Sequence, residues 1–520
     1  MLDDFGMLAI ARFVDTPMQY FVADHIPGST YYRPVGMLVW WLTERVFGTS
    51  AALHYTFNLA LHAAVGVLLL RVLARAGLRT GLSFLLALTF TLHPVSIGTT
   101  AWLSDRFDLL AALFGLLALR AGMLHAGSRR TSDGIVALMS LALALLSKEI
   151  AYSFAAALFA WWMLGGREDW PERRRWLFAL VVLVLACAVL RGFVIADAGA
   201  AKMLKHRSLV ETFALGMHGW FQGSLAHLGY WERLGEWKRF TLVIGLAMLC
   251  AASLFAMSMP WPRARVRLAL VGAILFALPG LLQVPLLAVV DLRVGLATET
   301  VLLVINSRYF YTAAIGLVLL LAAVLMPITQ SRPAFRAAAA VAMILLAVSW
   351  VGAAQRLTVQ HRDETRRQGE RVAAANAAIA RAVLPQPCRI FLLGTDDWTF
   401  HWISDEAIKG SIADADFARV SACLIQTEHV PWYHIVPRGS VDVSRLAPLA
   451  LARGLEGIES RLRLGSAETI SLTFKTGIDA RDIRDALFLA WRDGEFVDVG
   501  SEVEQGLLSV DFVCNRECVP

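Results

Sequence analysis

Residues 52–74 read ALHYTFNLALHAAVGVLLLRVLA. A helix needs about 20 predominantly apolar residues to cross a bilayer core, and this stretch is long enough. It also carries His54, Asn58 and His62, spaced i, i+4, i+8, so they form one polar stripe on an otherwise apolar helix. Such a stripe faces neighbouring helices rather than lipid, where it either lines a cavity or bonds across helices. His62 lies roughly 12 Å deeper than His54 at 1.5 Å per residue, which favours the bonding role for His62.

Comparable runs recur from residue 52 to residue 353, and 57% of the 520 residues are hydrophobic, with a mean hydropathy of +0.58. No soluble core hides that much apolar surface. The chain therefore reads as a polytopic α-helical membrane protein. Ten crossings are expected, at 52–74, 81–99, 107–125, 134–147, 149–165, 176–195, 240–259, 266–290, 308–327 and 335–353. The fourth and fifth are short and read as half-helices or tilted spans. Residues 355–520 mix charges with short apolar segments and read as one soluble domain, with residues 1–354 as the membrane domain. The net charge of +6 and pI of 9.1 are accounted for by Lys/Arg in loops, so no nucleic-acid partner is implied.

Every second loop is basic. Arg71, Arg75 and Arg79 follow the first crossing, Arg129 and Arg130 the third, and Arg167, Arg173, Arg174 and Arg175 the fifth. Arg263, Arg265 and Arg267 follow the seventh, and Arg332 and Arg336 the ninth. The positive-inside rule makes these loops cytoplasmic and puts the intervening loops, the N-terminus and the C-terminal domain outside. Residues 1–33 hold no signal-peptide apolar core, so one further crossing is expected upstream of Met1. The alternative is a first helix that inserts with its N-terminal flank translocated.

Cys187 and Cys250 fall in crossings and read as small apolar residues, whereas Cys388, Cys423, Cys514 and Cys518 fall in the soluble domain. An even number there fits disulfides, with Cys388–Cys423 and Cys514–Cys518 the pairing of least sequence separation. A four-Cys zinc site lacks the paired C-x-x-C knuckles it needs.

Ionisable residues beside membrane helices are costly and mark function. All of those that stand out fall on the outer side of this topology. Asp3-Asp4 open the chain; two adjacent carboxylates can hold a metal or act as a base. In Tyr31-Tyr32-Arg33-Pro34, the Pro suits the first turn of a helix over 34–47, and Arg33 is either a phosphate or carboxylate ligand or a snorkelling anchor. After His93-Pro94 comes Asp105-Arg106-Phe107-Asp108, in which Asp105 and Asp108 share a face and Arg106 points elsewhere. Asp108 enters an apolar helix and needs a partner; Arg106 is the nearest in sequence. Lys148 and Glu149 are adjacent on the chain, so they point apart and serve different partners. Arg308, Tyr309 and Tyr311 open the ninth crossing. Cations and acids gathered at one membrane face are the inventory of an enzyme acting on an anionic lipid.

Taken in order, the outer Asp3-Asp4, YRPV (32–35), HYTFNLALH (54–62), LHPVSIGTTAWLSDRFDLLAALF (92–114), LLSKE (145–149) and SRYFYTAAIGLVLL (307–320) resemble the GT-C glycosyltransferases. The likeness is greatest to the transmembrane O-mannosyltransferases that carry TPR repeats, and to their bacterial relatives. It covers roughly residues 1–330. The resemblance implies transfer of a sugar from a polyprenyl-phosphate donor to a glycan, lipid or protein acceptor at the periplasmic face of a bacterial inner membrane. It maps the family's first-loop carboxylate onto Asp3 or Asp4, with Asp108 as the competing base. It maps the GR-x-D segment onto Asp105–Asp108, the SKE segment onto Lys148 and Glu149, and the RYLY segment onto Arg308, Tyr309 and Tyr311. Lys148 and Arg308 are then the expected ligands of the donor phosphate, with Arg33, His93, Arg106, Glu149 and Tyr309 also binding substrate. The chain departs from the family in three ways: no helix precedes Asp3, Asp105 stands where the family has Gly, and residues 355–520 show no 34-residue repeat. No ligand spacing indicates a divalent cation, and the identity of any metal or cofactor stays open. A transporter or flippase of lipid-linked glycans, or a non-catalytic envelope-assembly protein, remains the alternative function.

In the soluble domain, Cys388–Gly394 reads as a buried strand, 470–474 as a half-buried strand and Ala480–Leu489 as a short helix, giving an α/β or α+β fold. Asp396, Asp397, Trp398, His401 and Trp402 form a polar-aromatic cluster suited to sugar stacking or to packing on the membrane surface.

Overall fold

The computed structural model describes residues 4–22, 31–165, 170–194, 209–229, 236–287, 307–327, 333–384, 388–393, 407–421, 423–427, 459–464, 468–473, 486–501 and 508–513. Asp3, Cys514, Cys518 and the 396–402 cluster lie outside these residues. The chain is mostly helical, as the apolar runs demand. Among the described residues six helices are long and apolar enough to cross a membrane. They are α4 (Ala51–Arg75), Leu103–Ser128, which is a 3₁₀ turn leading into α7 (Arg106–Ser128), α10 (Trp170–Val194), Arg263–Gln283 of α13 (Arg263–Leu287), Arg308–Leu325, ending in α14 (Tyr311–Leu325), and Pro333–Val359 of α15 (Pro333–Arg381).

Three of the ten expected segments depart from straight, full-length spans. Segment 81–99 is a bent pair, α5 (Thr80–Thr91) and α6 (Val95–Ala101), meeting at 61°. The break falls at His93-Pro94, because a proline interrupts the helical ladder by lacking an N–H; counting the pair as one span makes seven. Segments 134–147 and 149–165 form α8 (Thr131–Leu145) and α9 (Tyr152–Met163), of 15 and 12 residues. At 1.5 Å per residue they reach roughly 18–23 Å, short of a bilayer core. Helix α11 (Leu209–Gly229) is not foreseen from the sequence, and α12 (Glu236–Met257) matches the 240–259 segment.

Ahead of the spans, α1 (Asp4–Phe13), α2 (Gln19–Val22) and α3 (Pro34–Phe47) form a small cap. Pro34 occupies the first turn of α3 as expected, and Gly48 ends that helix at φ +54, a conformation that costs glycine little. Met7 and Leu8 of α1 pack with Met37 and Trp40 of α3 and with Leu103 and Phe107. The main core lies among α4, α7, α8, α9, α13 and α14. At Gly272 and Gly316, α13 and α14 come so close that an added Cβ meets the other helix's backbone, the close approach that small residues allow in membrane helix pairs.

Helix α15 runs unbroken for 49 residues, about 73 Å. It joins the tenth crossing to the helix leaving the membrane, so the 354/355 boundary falls inside one element. Its far end contributes Val372, Ala375 and Ile379 to a second core with Ile390, Leu392, Ile408, Ile425 and Leu489. That core backs a four-stranded sheet of order β2-β1-β5-β6: β1 (Arg389–Leu393), β2 (Leu424–Thr427), β5 (Leu487–Arg492) and β6 (Glu495–Asp498). β1 pairs in parallel with β2 and β5, and β5 turns back into β6 antiparallel. A second sheet, order β4-β3-β7, holds β3 (Glu459–Leu464), β4 (Glu468–Thr473) and β7 (Leu508–Val513). The 470–474 expectation is met over its described part.

The expected helix 480–489 is wrong at its described end, since Leu487–Arg492 is a strand. Leu487, Phe488, Leu489 and Ala490 are all buried. A strand buried on both faces reads as a continuous apolar run, which periodicity alone does not tell from a buried helix. Asp493-Gly494 follows with φ +51 and +90, the paired positive dihedrals of a two-residue hairpin turn.

Cys388 and Cys423 form the expected disulfide, pinning the starts of β1 and β2 together, while Cys187 and Cys250 are unpaired thiols in helices. The sequence separation is 35 residues, so Cys423→Ser is expected to destabilise the domain by about 2–4 kcal/mol. Alkylation with mass mapping checks it: Cys388 becomes labelled in the variant and stays protected in the wild type.

Candidate active site

The turn after the α5/α6 bend carries Leu103–Asp105 into α7, and both acids of DRFD are buried there: Asp105 is 3% and Asp108 1% exposed. Spaced i, i+3, they face the same way. Lys148, in the break between α8 and α9, inserts between them. Its Nζ is bonded to Asp108 Oδ2 and stands 3.5 Å from Asp105 Oδ1. Two carboxylate oxygens, Asp105 Oδ2 and Asp108 Oδ1, are buried with no hydrogen-bond partner among the described residues. The other side of the cluster is Arg308, in the 3₁₀ turn Arg308–Phe310, whose charge acts on Asp105. Its guanidinium lies 3.8 Å over the Trp102 ring and donates to Tyr309 Oη at 2.8 Å.

Glu149, next along the chain, turns the other way. It accepts from Arg33 Nη2 at 2.9 Å and from Arg191 Nη2 at 2.7 Å. Arg33 caps the start of α3, where Val35 N–H donates to the Leu146 carbonyl and ties the two segments together. Its guanidinium covers the Tyr31 ring at 4.4 Å and the Phe107 ring at 5.3 Å, so it adjoins the DRFD segment. Burial opposes the Arg33 charge, but Glu149 more than offsets it and holds the guanidinium above its usual range. Arg191 sits at the C-terminal end of α10. The sequence reading passes over it, although an arginine closing an apolar helix carries the same cost as Arg33.

Arg106 is a correction. It does not pair with Asp108: two positions earlier, it leaves the opposite side of α7. Fully buried, it donates to Asn58 Oδ1 (2.9 Å) and Thr43 Oγ1 (2.6 Å) and meets His54 Nδ1 at 3.3 Å. His54 Nε2 bonds the Gly48 carbonyl at 2.9 Å, so Nε2 carries the hydrogen and Nδ1 accepts from Arg106. The guanidinium also lies 4.2 Å over the Trp40 ring. The polar stripe of α4 therefore bonds across helices. His62 does the same, with Nε2 to the Thr91 carbonyl (3.1 Å) and Nδ1 to Tyr311 Oη (2.7 Å). His93 accepts from Val95 N–H at 3.1 Å and stacks edge-on with Trp350, which gives it a capping role at the bend.

Asp4 opens α1, and α1 packs on Leu103 and Phe107, next to the buried acids; the side chain of Asp4 is outside the described set. No group of three or more metal-type ligands occurs among the described residues. No family model matches the chain, and no curated protein or solved structure matches it either.

Proposed function

We propose that the chain is a membrane glycosyltransferase of the GT-C kind. It moves a sugar from a polyprenyl-phosphate carrier to a glycan, lipid or protein acceptor at the outer face of a bacterial inner membrane, with the C-terminal domain periplasmic. The observation that carries the reading is the buried Asp105–Lys148–Asp108 cluster, in which two carboxylate oxygens have no hydrogen-bond partner among the described residues, beside Arg33, Glu149 and Arg191. A positioned carboxylate accepts the proton of the acceptor hydroxyl as its oxygen bonds the anomeric carbon. The bond from that carbon to the carrier phosphate breaks, and the phosphate leaves as an anion that the surrounding guanidinium groups stabilise. The Cys388–Cys423 disulfide fits an oxidising compartment for the C-terminal domain.

The test uses the purified full chain in proteoliposomes with polyprenyl-phosphate-linked radiolabelled sugars and a panel of lipid, glycan and protein acceptors. Label is expected to leave the carrier and appear on an acceptor. Donor that stays intact but changes leaflet overturns the enzyme reading in favour of a flippase.

A further inference from the structure

Helix α10 places Arg173 at one end and Arg191 at the other, about 27 Å apart at 1.5 Å per residue. That is close to the roughly 30 Å hydrocarbon thickness of a bilayer. Arg191 belongs to the site above. Arg173 marks the opposite membrane face, where nothing in the glycosyltransferase reading is at work.

A cavity of about 680 Å³ opens there between the ends of α9, α10 and α13, lined by Met163, Leu164 and Val266 and by Trp170, Trp261, Arg173 and Arg263. Arg173 is only 6% exposed. Its Nη1 donates to the Trp162 carbonyl at 3.1 Å, while Nε and Nη2 have no partner among the described residues. Arg267 lies close by. Its Nη2 donates to the Trp161 carbonyl at 2.9 Å, its Nε is also unpartnered among the described residues, and the charges of Arg173 and Arg263 both act on it. No described carboxylate pairs with any of the three arginines. Like charges gathered in a part-buried place repel one another, and three unfilled guanidinium nitrogens cost further free energy. A bound anion removes both costs at once.

We infer that this cavity binds the phosphate of an anionic lipid headgroup, with Arg173, Arg263 and Arg267 as its ligands. Guanidinium groups match phosphate oxygens with two-pronged hydrogen bonds. The lining favours a lipid over a soluble anion. Trp170 and Trp261 stand 43% and 40% exposed at the helix ends, the level where tryptophans anchor at the headgroups, and Met163, Leu164 and Val266 supply an apolar wall for the acyl chain. The site stands independently of the sugar-transfer reading.

Native mass spectrometry of the purified full chain in detergent tests it, titrating phosphatidylglycerol, phosphatidylcholine or inorganic phosphate. Wild-type protein is expected to retain one phosphatidylglycerol at least about tenfold more tightly than phosphatidylcholine, undisplaced by millimolar phosphate. The Arg173→Gln/Arg263→Gln variant is expected to lose that preference while keeping its thermal midpoint. Equal retention of the two lipids by wild type overturns the site, and that comparison needs no variant. Displacement by inorganic phosphate overturns the lipid assignment. An undiminished preference in a folded double variant moves the site elsewhere.

Discussion

Asp108→Asn is expected to slow sugar transfer by about 10²–10⁴-fold, the usual loss when a general base is removed, while protein level and donor retention persist. The amide keeps the size of the side chain and still offers Lys148 an oxygen, so the ion-pair geometry survives as a hydrogen bond. What it loses is the capacity to take a proton. Oδ1 of Asp108 is buried beside the cation and has no hydrogen-bond partner among the described residues, as is true of Asp105 Oδ2. Asp105→Asn is expected to act in the same direction and less strongly, because Lys148 is bonded to Asp108 and only approaches Asp105 at 3.5 Å. The comparison variants are Asp3→Asn and Asp4→Asn, the competing carboxylates of the sequence reading; Met7 and Leu8 of α1 pack with Leu103 and Phe107. Single-turnover rates in membranes decide between them. Full turnover in Asp108→Asn together with its loss in Asp3→Asn or Asp4→Asn transfers the role of base to the Asp3-Asp4 pair.

The site was legible in the sequence wherever local geometry alone fixes direction. The i, i+3 spacing of Asp105 and Asp108 puts them on one face, and the adjacency of Lys148 and Glu149 sends them to different partners; the structure has both. Partner identity is not legible, because nearness along the chain does not predict nearness in the fold. Asp108 finds Lys148 forty residues away rather than Arg106 two residues away, because α8 returns along α7 and delivers Lys148 to its start. Arg106 is instead held by a residue from α3 and two from α4. No local pattern announces a partner set drawn from two other helices. The fold shows the same divide. Apolar length located the membrane helices and marked α8 and α9 as short, but it missed α11. In the C-terminal domain the helix expected over 480–489 runs into the strand Leu487–Arg492, because a strand buried on both faces shows no alternation.

Glu149→Ala is expected to destabilise the protein by less than the roughly 3–5 kcal/mol of a fully buried pair, because removing one member of a half-buried ion pair strands the charges left behind. Here two are left. Arg33 and Arg191 both point at the Glu149 carboxylate, with side chains 13% and 25% exposed, and without it they face each other across an unfilled space. Arg33→Ala or Arg191→Ala alone is expected to cost less, since Glu149 then keeps one guanidinium. The same geometry gives the stability loss a second reading under the proposed function. A carboxylate bonded by two guanidinium groups offers them what a phosphate offers, and a donor phosphate engaging Arg33 and Arg191 meets Glu149 in competition. In Glu149→Ala that competition is gone. A ligand that binds the folded state stabilises it by mass action, by about 2.7 kcal/mol at a hundredfold excess over Kd. Polyprenyl phosphate is therefore expected to raise the unfolding temperature of Glu149→Ala more than that of wild type, recovering much of the loss. Thermal unfolding in detergent, with and without the lipid phosphate, measures both effects. An equal shift in the two proteins removes Arg33 and Arg191 from the phosphate site and leaves Lys148 and Arg308 to hold it, with the Glu149 pairs then serving only to bind α3 and α10 to the turn between α8 and α9.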